Sequence, residues 1–268
     1  MRRTAKTAWI LARAGFRRYS TYRLATLAGL TTNTVFGLIR ASVLLAALAS
    51  AGTSIAGYDA GEISSFVWWS QGLIASVNLF AWSEVATRVR SGDIAVDFAR
   101  PIDPQVAYLA TDLGRAVLQF LARGVPSILI GAVTFGIALP QSPWLWPLAL
   151  VSTLLAVLIS FGCRYAVNLT SFWLVESRGP QLVYVVVSGF LCGLYVPVHW
   201  FPDWLQLIAH ATPFPSMLQT PIDLLSGRAS PVDALPLLLT QLLWVAGALA
   251  LGQVMTRLGR RRLEVQGG

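Results

Sequence analysis

The sequence predicts an all-α, polytopic membrane protein with six transmembrane helices, an N-terminal interfacial helix and short outer re-entrant helices. Three observations carry that prediction. The 268-residue chain is 55% hydrophobic and only 12% charged, with a mean hydropathy of +0.63. Apolar stretches long enough for a bilayer, roughly 20 residues in helix, recur along it. Its basic residues gather at the ends of those stretches. A net charge of +8 with a pI near 10.2 would suggest nucleic acid in a soluble chain. Here the charge reads as a topology signal, and no nucleic-acid partner is expected.

Residues 1–23 form the first element. At about 100° per residue, Ala5, Trp9, Ala12, Phe16 and Tyr19 share one helical face. Arg2, Lys6, Arg13 and Arg17 share the neighbouring one. That pattern suits a helix lying among membrane lipids in the cytoplasmic headgroup layer. Arg13, Arg17 and Arg18 interrupt the apolar run that a cleavable signal would need.

The transmembrane domain covers 24–256, and a basic cytoplasmic tail covers 257–268. Six spans are expected: Leu24–Leu48, Ile63–Ser83, Arg115–Leu139, one from Trp144 to between Cys163 and Val175, Gln181–Val198, and Leu235–Thr256. The connections PQSP (140–143) and ESRGP (176–180) have turn chemistry. Sixteen of the 20 basic residues fall on one side: those before Leu24, Arg88, Arg90, Arg100, Arg115, Arg178 and four in the tail. Arg228 alone falls on the other. Positive residues favour the cytoplasm, so both termini are placed there.

Several chemistries are excluded. A phosphate-binding P-loop needs glycines and a lysine, but the single lysine, Lys6, has no glycine before it. ATP and its magnesium, if used, belong to another chain. His199 and His210 have Asp203 as their nearest carboxylate in sequence, which makes a thin case for catalysis. Cys163 and Cys192 lack metal-ligand spacing and read as small apolar fillers. No GxSxG elbow occurs. Neither catalytic nor metal-binding residues are therefore assigned, and no cofactor is expected in this chain.

Charge inside the membrane costs on the order of 3 kcal/mol at the bilayer centre, so it pairs, faces a cavity or snorkels. Arg40, Arg123 and Arg164, with Asn33, Asn78 and Asn168, either line a conduit or join helices by hydrogen bonds.

The densest charge lies in 84–115, with Glu84, Arg88, Arg90, Asp93, Asp97, Arg100, Asp103, Asp112 and Arg115. Gly92 can break a helix there, and Asp103–Pro104 forms an N-cap and first helical position. Ile94, Val96 and Phe98 offer apolar contacts, while the charges set register against a partner. The stretch SGDIAVDFARPIDPQVAYLATDLGR resembles the G-D-I-x-x-D-x-x-R-P motif of ABC-2-type transporter permeases, in the bacterial branch once treated as a domain of unknown function. Residues 196–227, VPVHWFPDWLQLIAHATPFPSMLQTPIDLLSG, resemble the outer segment of the same branch.

The resemblance spans nearly the whole chain. It implies a permease subunit of an ATP-driven transporter in a bacterial cell membrane, an exporter of amphiphilic drugs, peptides, lipids or antibiotics. Residues 84–114 would then be the coupling loop docking on a separate ABC ATPase, through Gly92, Asp93, Ile94, Asp97, Phe98, Arg100 and Pro101. Residues 199–234 would be an extracellular cap built on Trp200, Phe201, Trp204, Pro213 and Phe214. A second permease chain, identical or not, would complete the conduit. Two alternatives stay open: an ATP-independent channel or secondary transporter, and a membrane-embedded enzyme acting on lipid.

Overall fold

The computed structural model describes residues 2–80, 83–174 and 176–262, and the regular elements among them are helices. Residues 81–82 of the second expected span, Val175 and the tail residues 263–268 lie outside the described residues. In chain order, α1 (Arg2–Ser20), α2 (Arg23–Ala51) and α3 (Ala60–Val77) come first. Two short helices follow, α4 (Glu84–Ser91) and α5 (Ile94–Ala99). Helix α6 (Pro104–Gln119) runs through a π-helical turn, Phe120–Gly124, into α7 (Val125–Thr134). Next are α8 (Leu145–Leu169), extended by a 3-10 turn to Phe172, and α9 (Arg178–Leu191). Short helices α10 (Asp203–His210) and α11 (Gln219–Leu225) precede α12 (Pro231–Arg260).

Among the described residues, four helical stretches are long and apolar enough to cross a membrane: Arg23–Ala51, Pro104–Thr134, Leu145–Phe172 and Pro231–Arg260. The second and fifth expected spans differ. Helix α3 has 18 residues and α9 only 14, or about 27 and 21 Å at 1.5 Å per residue. Helix α3 stops at Asn78, in the left-handed conformation at φ 56°, short of the expected Ser83. Most of its side chains are buried, including Ser64, Ser65, Ser70 and Gln71. A helix enclosed by protein can carry polar groups where partners meet them. Ser64, for example, donates to the Gly136 carbonyl at 2.7 Å.

The third expected span also begins earlier than the sequence indicates. Asp103 caps α6 by accepting from the Val106 N–H at 3.1 Å, with Pro104 in the first turn, as its residue types require. Asp112 and Arg115, expected at the edge of a loop, therefore lie inside a helix. The π-turn has a local cause. Pro126 lacks an N–H and its ring crowds the carbonyl four residues earlier, so the Val125 N–H reaches back to Phe120 instead. The fourth span takes the longer of its two open readings, so that Arg164 and Asn168 fall in its last two turns with their side chains buried.

Helix α1 packs across α6. A Cβ on Gly114 would stand 1.9 Å from the Ala12 carbonyl oxygen, and one on Gly15 would stand 2.2 Å from that of Thr111. Gly15 is buried and Ala12, Phe16 and Tyr19 partly so, whereas Ala5 and Trp9 of the same expected face stay exposed.

Side-chain contacts define two ends of the bundle. Arg18 of α1 meets Glu84 of α4 at 3.1 Å, and Arg260 of α12 lies over the Phe98 ring at 5.7 Å, so α1, α4, α5 and the end of α12 share one end. The start of α3, α10 and α11 share the other, where Gln219 donates to the Tyr58 hydroxyl at 3.1 Å. Gly114→Val is expected to force α1 off α6. Limited trypsin digestion checks this: cleavage after Arg17 and Arg18 should quicken several-fold while the α8 and α12 fragments survive.

Candidate functional site

The charged segment folds into a braced corner. Glu84 opens α4 while Arg88 and Arg90 close it, each sign at the helix end that favours it. Gly92 ends α4 at φ 81°, a conformation that glycine adopts without strain. Helix α5 then turns back, and Asp97 is buried at the joint, 7% exposed. Arg88 donates to both Asp97 carboxylate oxygens, at 2.6 and 3.0 Å, and to the Asp93 carbonyl at 3.0 Å. Tyr108 of α6 donates its hydroxyl to Asp97 at 2.6 Å, and Arg100 stands 3.4 Å away. The hydrogen bond to Asp97 raises the Arg88 pKa above the ordinary arginine value.

Within this corner, Gly92, Asp93, Arg100 and Pro101 are exposed, as is Val96. Ile94 is buried against Val85, Phe161, Tyr165 and Leu169. Phe98 is partly buried and stacks on Phe172, with ring centroids 6.4 Å apart. Ile94, Asp97 and Phe98 therefore root the corner in the bundle and leave the outward face to the other residues. The sequence grouped all of them as contacts; the helical turn of α5 separates them into an inner and an outer set.

Below the corner lies a buried ion cluster. Asp112 accepts from Arg115 Nε at 2.7 Å and from Arg164 Nη2 at 2.8 Å. Arg115 also donates to the carbonyls of Ala75 and Ser76, at 2.7 and 2.9 Å, closing the last turn of α3. On α8, Ser160, Arg164 and Asn168 follow one another at four-residue spacing along one face. Ser160 donates to the Asn78 carbonyl at 3.2 Å, and Asn168 accepts from the Ala86 N–H of α4 at 3.1 Å. One face of α8 thus joins α3, α4 and α6. Arg164 and Asn168 sit among protein groups, and Asn78 acts as the C-cap of α3.

Residues 36–267 match the sequence model of the ABC-2 family transporter protein. The chain belongs to that family. It is an ABC transporter permease and a multi-pass membrane protein. No curated protein matches it.

The remaining polar residues of this ABC-2 permease lie on the seam of α2, α3 and the π-turn. Arg123 donates to the Gly29 carbonyl and to Asn33 Oδ1, at 3.1 and 3.0 Å. Asn33 in turn donates to the Gln71 carbonyl at 3.2 Å. Arg40 donates to Ser70 Oγ at 2.8 Å. Neither Arg40 nor Arg123 meets a carboxylate within 4 Å among the described residues.

The outer segment of the permease is divided. Phe201 is buried and stacks on Phe190 at 5.1 Å, and Trp200 meets Tyr58 edge-on at 6.2 Å. Pro213 and Phe214 are partly buried, while Trp204 is 64% exposed. His199 pairs with Asp223 at 3.0 Å, not with Asp203 as sequence proximity indicated. Gln219 donates to Tyr58 and to Asp223 and accepts from the Val198 N–H at 2.9 Å, and Arg228 covers the Tyr58 ring at 4.0 Å. Sequence reading missed this cluster because its members come from three distant stretches. Asp112–Arg115, at i,i+3, did carry a readable helix signal.

Asp112→Ala should lower stability by about 3–5 kcal/mol, because it strands two buried guanidinium groups. Asp112→Asn should cost less, since an acceptor remains. Tyr108→Phe should cost about 2 kcal/mol, the value of one hydrogen bond to a charged acceptor. Thermal unfolding in detergent ranks the three.

Proposed function

We propose that this permease is the membrane half of an ATP-driven exporter whose ATP and magnesium are bound by separate ABC ATPase chains. In this reading it crosses the bacterial cell membrane six times with both termini in the cytoplasm, α3 and α9 serving as the second and fifth spans. Residues 84–114 are the coupling segment. A second permease chain completes the conduit, and the cargo is an amphiphilic drug, peptide, lipid or antibiotic. Trp200, Phe201, Trp204, Pro213 and Phe214 form the outer cap.

The observation that carries the proposal is the corner itself. An exposed, charged turn would be a poor lever if it were loosely held. This one is fastened by Asp97 to Arg88 and Tyr108, and its helix α4 is tied through Asn168 to α8. A push on Gly92, Asp93, Val96, Arg100 and Pro101 then moves α6 and α8 as well as the turn. Closure of two ATPases would bias the helices between two arrangements, each favoured by a different nucleotide state. The exposed charges serve recognition and encounter, which makes docking sensitive to salt.

A photocrosslinking residue at Val96, in native membranes, tests the proposal. The expected capture is a protein containing a P-loop. Exchanging the outward charges, with Asp93→Lys and Arg100→Glu together, should reduce that capture about tenfold or more, as for loss of close interfacial charge pairs. Recovery of lipid alone, from a folded and abundant protein, would overturn it.

A further inference from the structure

Two apolar hollows meet on the side of α6. The first, of about 690 Å³, lies between α1 and α6 and is lined by Ala8, Trp9, Arg13, Phe16, Leu113 and Val117 among others. The second, of about 620 Å³, continues between α3, α6 and α8, with Trp69, Phe120, Trp146 and Val157 in its wall. Leu113 and Val117, one helical turn apart, belong to both. Each volume is in the range of about 300–1,000 Å³ that ligand pockets occupy. Val117, Leu121, Leu150 and Leu154 are each at least half exposed, so the groove opens sideways.

We infer that this groove binds one anionic phospholipid, with its phosphate against Arg13 and an acyl chain passing Leu113 and Val117 toward Trp146. The choice of occupant rests on charge. Among the described residues, Arg13 is the one charged residue lining the two hollows. It lies on the exposed basic stripe with Lys6 and Arg17, in a helix that has no acidic residue. Indeed the first carboxylate in the chain is Asp59. Arg18 finds Glu84, but Arg13 has no carboxylate within 4 Å among the described residues. A ligand that answers both features needs a negative head and a long apolar tail. The tail would fill the space beside the glycine crossing of α1 and α6, and the head would fix α1 at the depth of the lipid phosphates. The inference depends on the protein's membrane location and not on the ATPase partner.

The test uses the full chain in phosphatidylcholine nanodiscs doped with one of two photoactivatable lipids. These carry the same mid-chain diazirine on phosphatidylglycerol or on phosphatidylcholine. Labelled peptides are mapped by mass spectrometry. The phosphatidylglycerol probe should label the α6 segment 110–117 about fivefold more than the phosphatidylcholine probe, or ~1 kcal/mol for one basic residue beside an anionic head. Arg13→Gln should abolish that preference. Val117→Trp should reduce labelling of this segment by both probes, while labelling near Leu243 and Leu251 of α12 stays constant and reports an intact fold. Equal labelling by the two probes, or a preference that survives Arg13→Gln, means bulk lipid only and overturns the inference. So does labelling that Val117→Trp leaves unchanged, or a crosslink from this groove to a second copy of the chain.

Discussion

Asp112 serves two arginines at once in the interior of the bundle, 2.7 Å from Arg115 and 2.8 Å from Arg164. Burying charge is tolerated when opposite charges pair closely and their remaining hydrogen bonds find acceptors, and here one carboxylate faces two guanidinium groups. That requirement dictates the surroundings. Arg115 finds its other acceptors in the carbonyls that α3 leaves open at its end. Helix α3 must therefore stop where it does, and α6 must pass within a guanidinium's reach of that end. Arg164 places α8 opposite, and the next residues on the same face of α8 settle Asn78 and α4. The middle of the permease is organised by one carboxylate.

The packing around this point uses small residues where helices come closest. A Cβ on Gly124 would stand 2.4 Å from the Gly72 carbonyl oxygen, and one on Gly131 would strike Trp68. With no hydrophobic drive between helices in lipid, such close backbone approach supplies the dispersion contacts that hold a bundle together. The same device seats α1 on α6. The α4–α5 corner is held differently, by hydrogen bonds to Asp97 and by the Ile94 and Phe98 side chains. Its stiffness and its exposed charge come from separate residues, which is how a turn can be both anchored and available for recognition.

Much of this was legible beforehand because it rests on local physics. Long apolar runs have to become helices to satisfy their backbones in lipid, and α2, α8 and α12 follow. Asp103–Pro104 and Gly92 specify a helix start and a helix end through capping and φ alone. The amphipathic pattern of residues 1–23 marked a helix, which α1 is. Less legible was α3, whose serines and Gln71 dilute its hydropathy because it faces protein. The roles of Ile94, Asp97 and Phe98 were also hidden. Alternation in a six-residue helix is too short to say which side is inward. His199 was matched to Asp203 by proximity in sequence, whereas the fold brings Asp223 to it from α11.

By itself, then, the sequence determined that the chain is helical, that it belongs in a membrane, that one helix ends at Gly92 and another begins after Asp103, and which segment concentrates charge. Each of these follows from periodicity, capping or transfer energy, all of which act over a few turns. Only the tertiary structure decided which charges pair. Asp112 and Arg164 are 52 positions apart, Asn168 reaches a helix end 82 positions away, and Gln219 meets Tyr58 across 161. Those partnerships depend on how the helices cross, and crossing is set by the combined fit of many side chains that no local pattern encodes.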